Sequence, residues 1–149
     1  MELDETTMNA VVHEIATHYQ AEGRGVRLME IGGGWQFCSV PELSPTIAAY
    51  LGGRRTAKLS QAALETLSIV AYRQPVTKAE IEQIRGLNVD GVVGALVDRE
   101  LIAEAGRKDT AGRPILYGVT PKFLRHFGLS STAELPRLGD LATDAPPEV

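Results

Sequence analysis

Cysteine is nearly absent. Cys38 stands alone among 149 residues, so no intramolecular disulfide framework holds this chain together. Long apolar runs are missing too: none approaches the roughly 20 residues that a helix needs to cross a bilayer. The N-terminus, MELDETTMN, is acidic and lacks the apolar stretch of a secretory signal. Histidines are few and badly spaced for metal binding. His13 and His18 are five apart instead of three or four, and His126 is remote. No serine or cysteine lies in a nucleophile-elbow pattern. Gly32–Gly34 lacks the Lys-Ser/Thr that follows in a phosphate loop, and it reads as a hairpin turn. The expectation is a cytoplasmic, non-enzymatic protein with no cofactor, no metal and no membrane contact. An enzyme, which would need a convergent polar pocket, is the remote alternative.

Positive charge is also in short supply. The net charge is −4, with seven carboxylates against four arginines in residues 1–55. Residues 56–127 carry ten Lys/Arg against eight Asp/Glu, and residues 128–149 one Arg against four acids. The centre is mildly basic at +2, too little to hold phosphates by charge alone. What is present is apolar material, 44% of the chain, enough for a real core.

Periodicity arranges that material in two units. Met8, Val11, Val12, Ile15 and Tyr19 give an apolar face to a helix over residues 5–22, ended by Gly23 and Gly25. Val26–Ile31 and Trp35–Val40 read as strands joined by the three glycines. Ser44-Pro45 reads as N-cap and first residue of a short helix closed by Gly52-Gly53, and residues 52–55 as a linker. Ser60 then caps a helix with Leu64, Leu67, Val70 and Ala71 inward. Arg73-Gln74-Pro75 turns the chain. Thr77-x-x-Glu80 is a capping-box pattern opening a helix that carries Ile81 and Ile84, stopped by Gly86. Asn88 or Asp90 caps a third helix, over residues 89–100, with Val92, Val93, Leu96 and Val97 buried. Strands are expected at Ile102–Arg107 and Ile115–Val119, a helix at Pro121–Phe127 ending at Gly128, and one more turn at Ser131-x-x-Glu134.

Three helices followed by a hairpin make a winged helix. The expected fold is therefore mainly α with small β-hairpin wings, built as tandem winged helix-turn-helix domains of which the first is incomplete. Residues 1–55 form the partial first domain and linker, 56–135 the second domain, and 136–149 a disordered tail.

The third helix is poorly equipped to read DNA. Readers of base edges place Arg, Lys, Asn or Gln on its outer face. Here that segment offers Asp90, Asp98 and Glu100 with a single Arg99. Gly91 and Gly94 each lower helix propensity by roughly 1 kcal/mol relative to alanine, and they leave a smooth surface. Only the wing is basic: Arg107, Lys108 and Arg113 are the candidates for weak contact with a phosphate backbone.

Several stretches have a familiar look. LSQAALETLSIVAYRQPVTKAEIEQIRG (residues 59–86), GRKDTAGRPILYGVTPKFLRHFGL (106–129) and ELPRL (134–138) resemble the second winged helix of the segregation and condensation protein B (ScpB) family. EGRGVRLMEIGGGWQF (22–37) is similar to the wing of that family's first domain. The resemblance covers roughly residues 4–138. It implies an accessory subunit of the bacterial SMC–kleisin complex, a homodimer that binds the kleisin ScpA and, through it, SMC. Chromosome condensation and segregation during cell division would be the role, and a nucleoid-associated location would follow. Members usually begin with further helices, so the start of this chain is expected to be shortened relative to them.

Partner contact is assigned to Trp35 and Phe37 on the first wing, because large aromatics often anchor interfaces. Covering the first helix is the competing role for both. Tyr72, Arg73 and Gln74 at the first turn and Pro114, Leu116 and Tyr117 at the second wing are further candidates, with core packing as the alternative.

The rival reading is a winged-helix transcriptional regulator. It requires tight, salt-sensitive duplex binding that Arg107→Glu weakens. The surface chemistry predicts the opposite: little or no binding at low salt, as fluorescence anisotropy with a labelled duplex would measure.

Overall fold

The computed structural model describes residues 4–51 and 58–137. About half of the chain is helical, with two small antiparallel sheets. The order is α1 (Glu5–Ala21), β1 (Val26–Ile31), β2 (Gly34–Ser39), a 3-10 turn at Pro41–Leu43 and α2 (Ser44–Tyr50). There follow α3 (Gln61–Arg73), β3 (Val76–Thr77), α4 (Lys78–Arg85), α5 (Asp90–Asp98), β4 (Ile102–Arg107), β5 (Ile115–Val119), α6 (Pro121–Phe127) and a 3-10 turn at Thr132–Glu134.

Capping chemistry sets most boundaries. The Asp4 carboxylate accepts from Thr7 N–H at 2.8 Å and starts α1. Ser60 Oγ accepts from Ala63 N–H at 3.2 Å and starts α3. Thr77 and Glu80 close a full capping box on α4, and Gly86 and Gly128 end α4 and α6 in the left-handed conformation. In the first hairpin Ile31 pairs with Gly34, so only Gly32 (φ +61) and Gly33 (φ +76) form the turn. Two successive positive φ angles suit the right-handed twist of a two-residue hairpin. Gly34 belongs to the strand.

Some expectations are corrected. Ser44 is not an N-cap: it has helical angles, because the Pro41–Leu43 turn already delivers the chain in a helical conformation. Val89 takes the position before α5, while Asn88 Oδ1 accepts from Asp90 N–H at 3.1 Å. Leu64, Ile84 and Val97 are exposed, not buried. The core stripe of α3 is Ala63, Thr66, Leu67, Val70 and Ala71, and Leu64 lies about 100° around the helix from Ala63. Val89, Val93 and Leu96 play the same part around α5, with Val92 half-buried. The apolar face assigned to α1 splits in two: Val12 and Tyr19 are half-buried, whereas Met8, Val11 and Ile15 are exposed. Residues 52–55 and 138–149 lie outside the described residues. Pro136 does not belong to a free tail, since its carbonyl accepts from Tyr72 Oη–H at 2.7 Å.

The second sheet has the order β3-β5-β4. Val76 pairs with Tyr117 and Thr77 with Leu116, and β4 runs beside β5 from Ile102–Val119 to Arg107–Ile115 with a bulge between Glu104 and Gly106. Helices α3–α5 pack on it, an arrangement compatible with a winged helix. Leu67, Val70, Ile81, Val89, Leu96 and Ile102 are sealed at its centre. Thr66 is fully buried among them because Arg85 reaches over it. The guanidinium donates to Thr66 Oγ1 at 2.7 Å and Ala62 O at 2.8 Å, and pairs with Glu65 at 2.9 Å. Residues 4–51 have little of this: Ile31 is their one buried side chain among the described residues.

Burial predicts a sharp contrast on truncation. Leu96→Ala should cost about 2–5 kcal/mol, and the exposed Leu64→Ala under about 1 kcal/mol, read from urea midpoints.

Candidate protein-interaction surface

Asp90, Asp98 and Glu100 are exposed along and just after α5, beside Arg99. Asp90 pairs with Lys78 and Glu100 with Lys122. Both carboxylates sit below their ordinary range because those lysines hydrogen-bond to them. Gly91 and Gly94 are exposed, and a Cβ at either would meet nothing.

The wing is less basic than its sequence. Lys108 Nζ donates to Glu80 Oε1 at 2.5 Å, which ties the wing to the start of α4. Glu80 also accepts the Thr77 backbone N–H and hydroxyl at 2.8 Å each. The Lys108 hydrogen bond, followed by the two Thr77 bonds, lowers the Glu80 carboxyl to about 2. Arg107 Nη1 donates to Arg113 O at 3.2 Å, and Arg113 has a positive φ of 41°. Of the three basic candidates, Arg107 and Arg113 are exposed, whereas Lys108 is half-buried.

The first-turn candidates have internal work. Gln74 Oε1 accepts from Val119 N–H at 2.8 Å, and its Nε2 donates to Ala71 O at 3.3 Å. The Gln74–Pro75 peptide is cis. Tyr72 holds the C-terminal segment through Pro136. Arg73 is exposed beside a depression of about 270 Å³ lined also by Pro75, Glu80, Gln83 and Ile84. On the wing Pro114, Leu116 and Tyr117 are half-buried. Pro114 O accepts from Lys108 N–H at 2.9 Å, and Tyr117 packs on the core.

The first-wing aromatics do cover α1. Trp35 stands edge-on to His13 with centroids 4.8 Å apart, and Phe37 lies 5.1 Å from Tyr19. The Arg24 guanidinium sits 4.7 Å over the Tyr19 ring. Phe37 nonetheless remains 53% exposed. Along α1, Met8, Val11 and Ile15 follow i, i+3, i+7 spacing and leave 52%, 47% and 38% of their surface in solvent. Tyr50 and Leu51 are more exposed still, and Ile84 and Leu87 are open at the end of α4. The sequence held a signal for the α1 stripe: one helix carried more apolar positions than a two-stranded hairpin can cover. A groove of about 720 Å³ runs between α1, β1 and the Pro41–Leu43 turn. Arg27 lines it, with its Nε buried and unpartnered. Among the described residues no three His, Cys, Asp or Glu side chains gather as a metal site would need, and no helix is long and apolar enough to cross a membrane.

Comparison with known proteins points one way. A family model described as "Segregation and condensation complex subunit ScpB" matches residues 1–138. "Segregation and condensation protein B" of Moorella thermoacetica is 52% identical over 129 residues, covering 87% of this chain and 66% of that protein. The protein of the same name from Desulforamulus reducens is 42% identical over 144 residues, covering 97% and 79%. The chain thus spans about two thirds of the length of the first and four fifths of the second. A crystal structure of ScpB from Mycobacterium tuberculosis is 37% identical, covering 81% of this chain and 75% of that one, with a TM-score of 0.47.

The Glu80 cluster predicts a pH response. Its folded pKa, about 2, lies below the ordinary 4.5, so the stabilisation is complete above pH 4.5 and is lost as pH falls toward 2. Glu80→Gln should lower the urea midpoint at pH 7 and flatten the acid limb over that window.

Proposed function

Given that this chain belongs to the ScpB family of segregation and condensation complex subunits, we propose that it serves as a non-enzymatic, protein-binding subunit of an SMC–kleisin assembly. In this reading it captures the kleisin ScpA, and through it SMC, and acts in chromosome condensation and segregation at the nucleoid during cell division. Residues 58–137 act as one winged helix, and residues 4–51 supply the helix and wing of another. The chain associates with a second copy through its first segment.

The observation that carries this reading is an apolar surface that no described residue covers. Met8, Val11 and Ile15 on α1, Phe37 on the first wing, and Tyr50 and Leu51 after it are all exposed. Burying such a stripe against another protein releases water at about 25 cal/mol per Å², and an amphipathic helix face is a common unit of groove recognition. Trp35 and Phe37 stand at its edge. Arg73, beside its depression, is the first-turn residue left for a partner, whereas Tyr72 and Gln74 position the turn. Pro114, Leu116 and Tyr117 support the wing from within. The regulator alternative is not favoured, because α5 carries acids where base readers carry donors. Arg107 and Arg113 could support a weak backbone contact and nothing more specific.

Co-expression with the kleisin of the same genome, followed by size exclusion with light scattering, tests the reading. One peak of defined stoichiometry is expected, and Val11→Asp should weaken it at least about tenfold, as a charge placed in an apolar contact does. Separate elution of the two unmodified proteins would overturn the partner assignment.

A further inference from the structure

Among the described residues the two segments share one backbone hydrogen bond, at the tip of the first hairpin. Ile31, the one buried side chain among described residues 4–51, closes β1. The next residue, Gly32, donates its N–H to Leu129 O at 2.9 Å. Leu129 follows the left-handed Gly128 cap of α6, and its own N–H donates to Leu124 O at 2.9 Å, so the accepting carbonyl is held rigidly at the helix end. Gly32 is pressed against that helix. A Cβ on it would lie 3.0 Å from Pro121 O, 3.3 Å from Arg125 Cγ and 3.7 Å from Leu124 Cβ. Its neighbour Gly33 also has a positive φ, yet a Cβ there would meet nothing. The two glycines therefore serve different needs. Gly33 answers only to the turn, and Gly32 answers to the turn and to the surface of α6.

We propose that the hairpin tip, Ile31-Gly32, and the C-terminal end of α6 form a releasable clasp. Closed, it holds α1 and its exposed apolar stripe at one orientation to the second segment. Open, both segments keep their secondary structure while that orientation is lost. The contact suits release, because among the described residues one backbone hydrogen bond and the close packing of Gly32 on α6 must offset the ordering of a whole segment. The clasp would decide whether a partner meets the two segments as one surface or as two. This goes beyond the partner assignment and does not depend on it.

The test uses the full chain with Cys38→Ser and spin labels at Gln20→Cys and Gln83→Cys, both exposed positions outside the clasp. Distance distributions by pulsed electron resonance are recorded with circular dichroism. The parent and Gly33→Ala should give one narrow distance. Gly32→Ala and Ile31→Ala should broaden it with helical signal unchanged, and the Gly32 amide should exchange roughly tenfold faster in Ile31→Ala. A broad distribution in the parent overturns the proposal, as does a Gly32→Ala trace as narrow as that of Gly33→Ala. Loss of helical signal together with the distance also overturns it, since the segments would then share one cooperative fold.

Discussion

A single carboxylate, Glu80, gathers the second segment around itself. By accepting both Thr77 donors it fixes the first turn of α4. Thr77 belongs to β3, so the same cap holds β3 in register against Leu116 of β5. By binding Lys108 it also pins the far end of the wing. Two adjacent elements and the distant wing thus share one anion, and each bond keeps that anion charged. Lys108 on the wing is thereby paired, as are the lysines beside Asp90 and Glu100.

The first segment shows the opposite economy. Where the second has a dozen sealed apolar residues, residues 4–51 have Ile31. Aromatic contacts join α1 to its hairpin, while Met8, Val11 and Ile15 stay exposed. A segment of this kind is stabilised by whatever it docks on, within the chain or outside it.

Local chemistry made much of this legible in the sequence. The Thr77–Glu80 box, the glycines ending α4 and α6, and the strands Ile102–Arg107 and Ile115–Val119 all follow from short-range signals that tertiary context did not override. Errors arose where a long-range neighbour decides. Leu64, Ile84 and Val97 are apolar and periodic, but which of two adjacent stripes turns inward depends on the helix opposite. Two-residue β3 exists only because β5 lies beside it. Gln74 resembles a surface residue until Val119 N–H is found at its side-chain oxygen. Gly32 reads as a turn glycine, and only α6 reveals its second duty. For the candidate surface, the sequence pointed to Trp35 and Phe37 on the first wing, and the structure leaves Met8, Val11 and Ile15 of α1 exposed as well. The aromatics Trp35 and Phe37 drew attention from the aliphatic face of α1 beside them.

The bulge in β4 has a consequence for how this protein can assemble. β4 is the outer strand of its sheet, and its free edge would otherwise offer a ladder of backbone groups to any passing chain. Between Glu104 and Gly106 that ladder is broken and the strand bends. Glu104 adds a charge beside the break. Runaway edge-to-edge polymerisation is thereby discouraged at this wing.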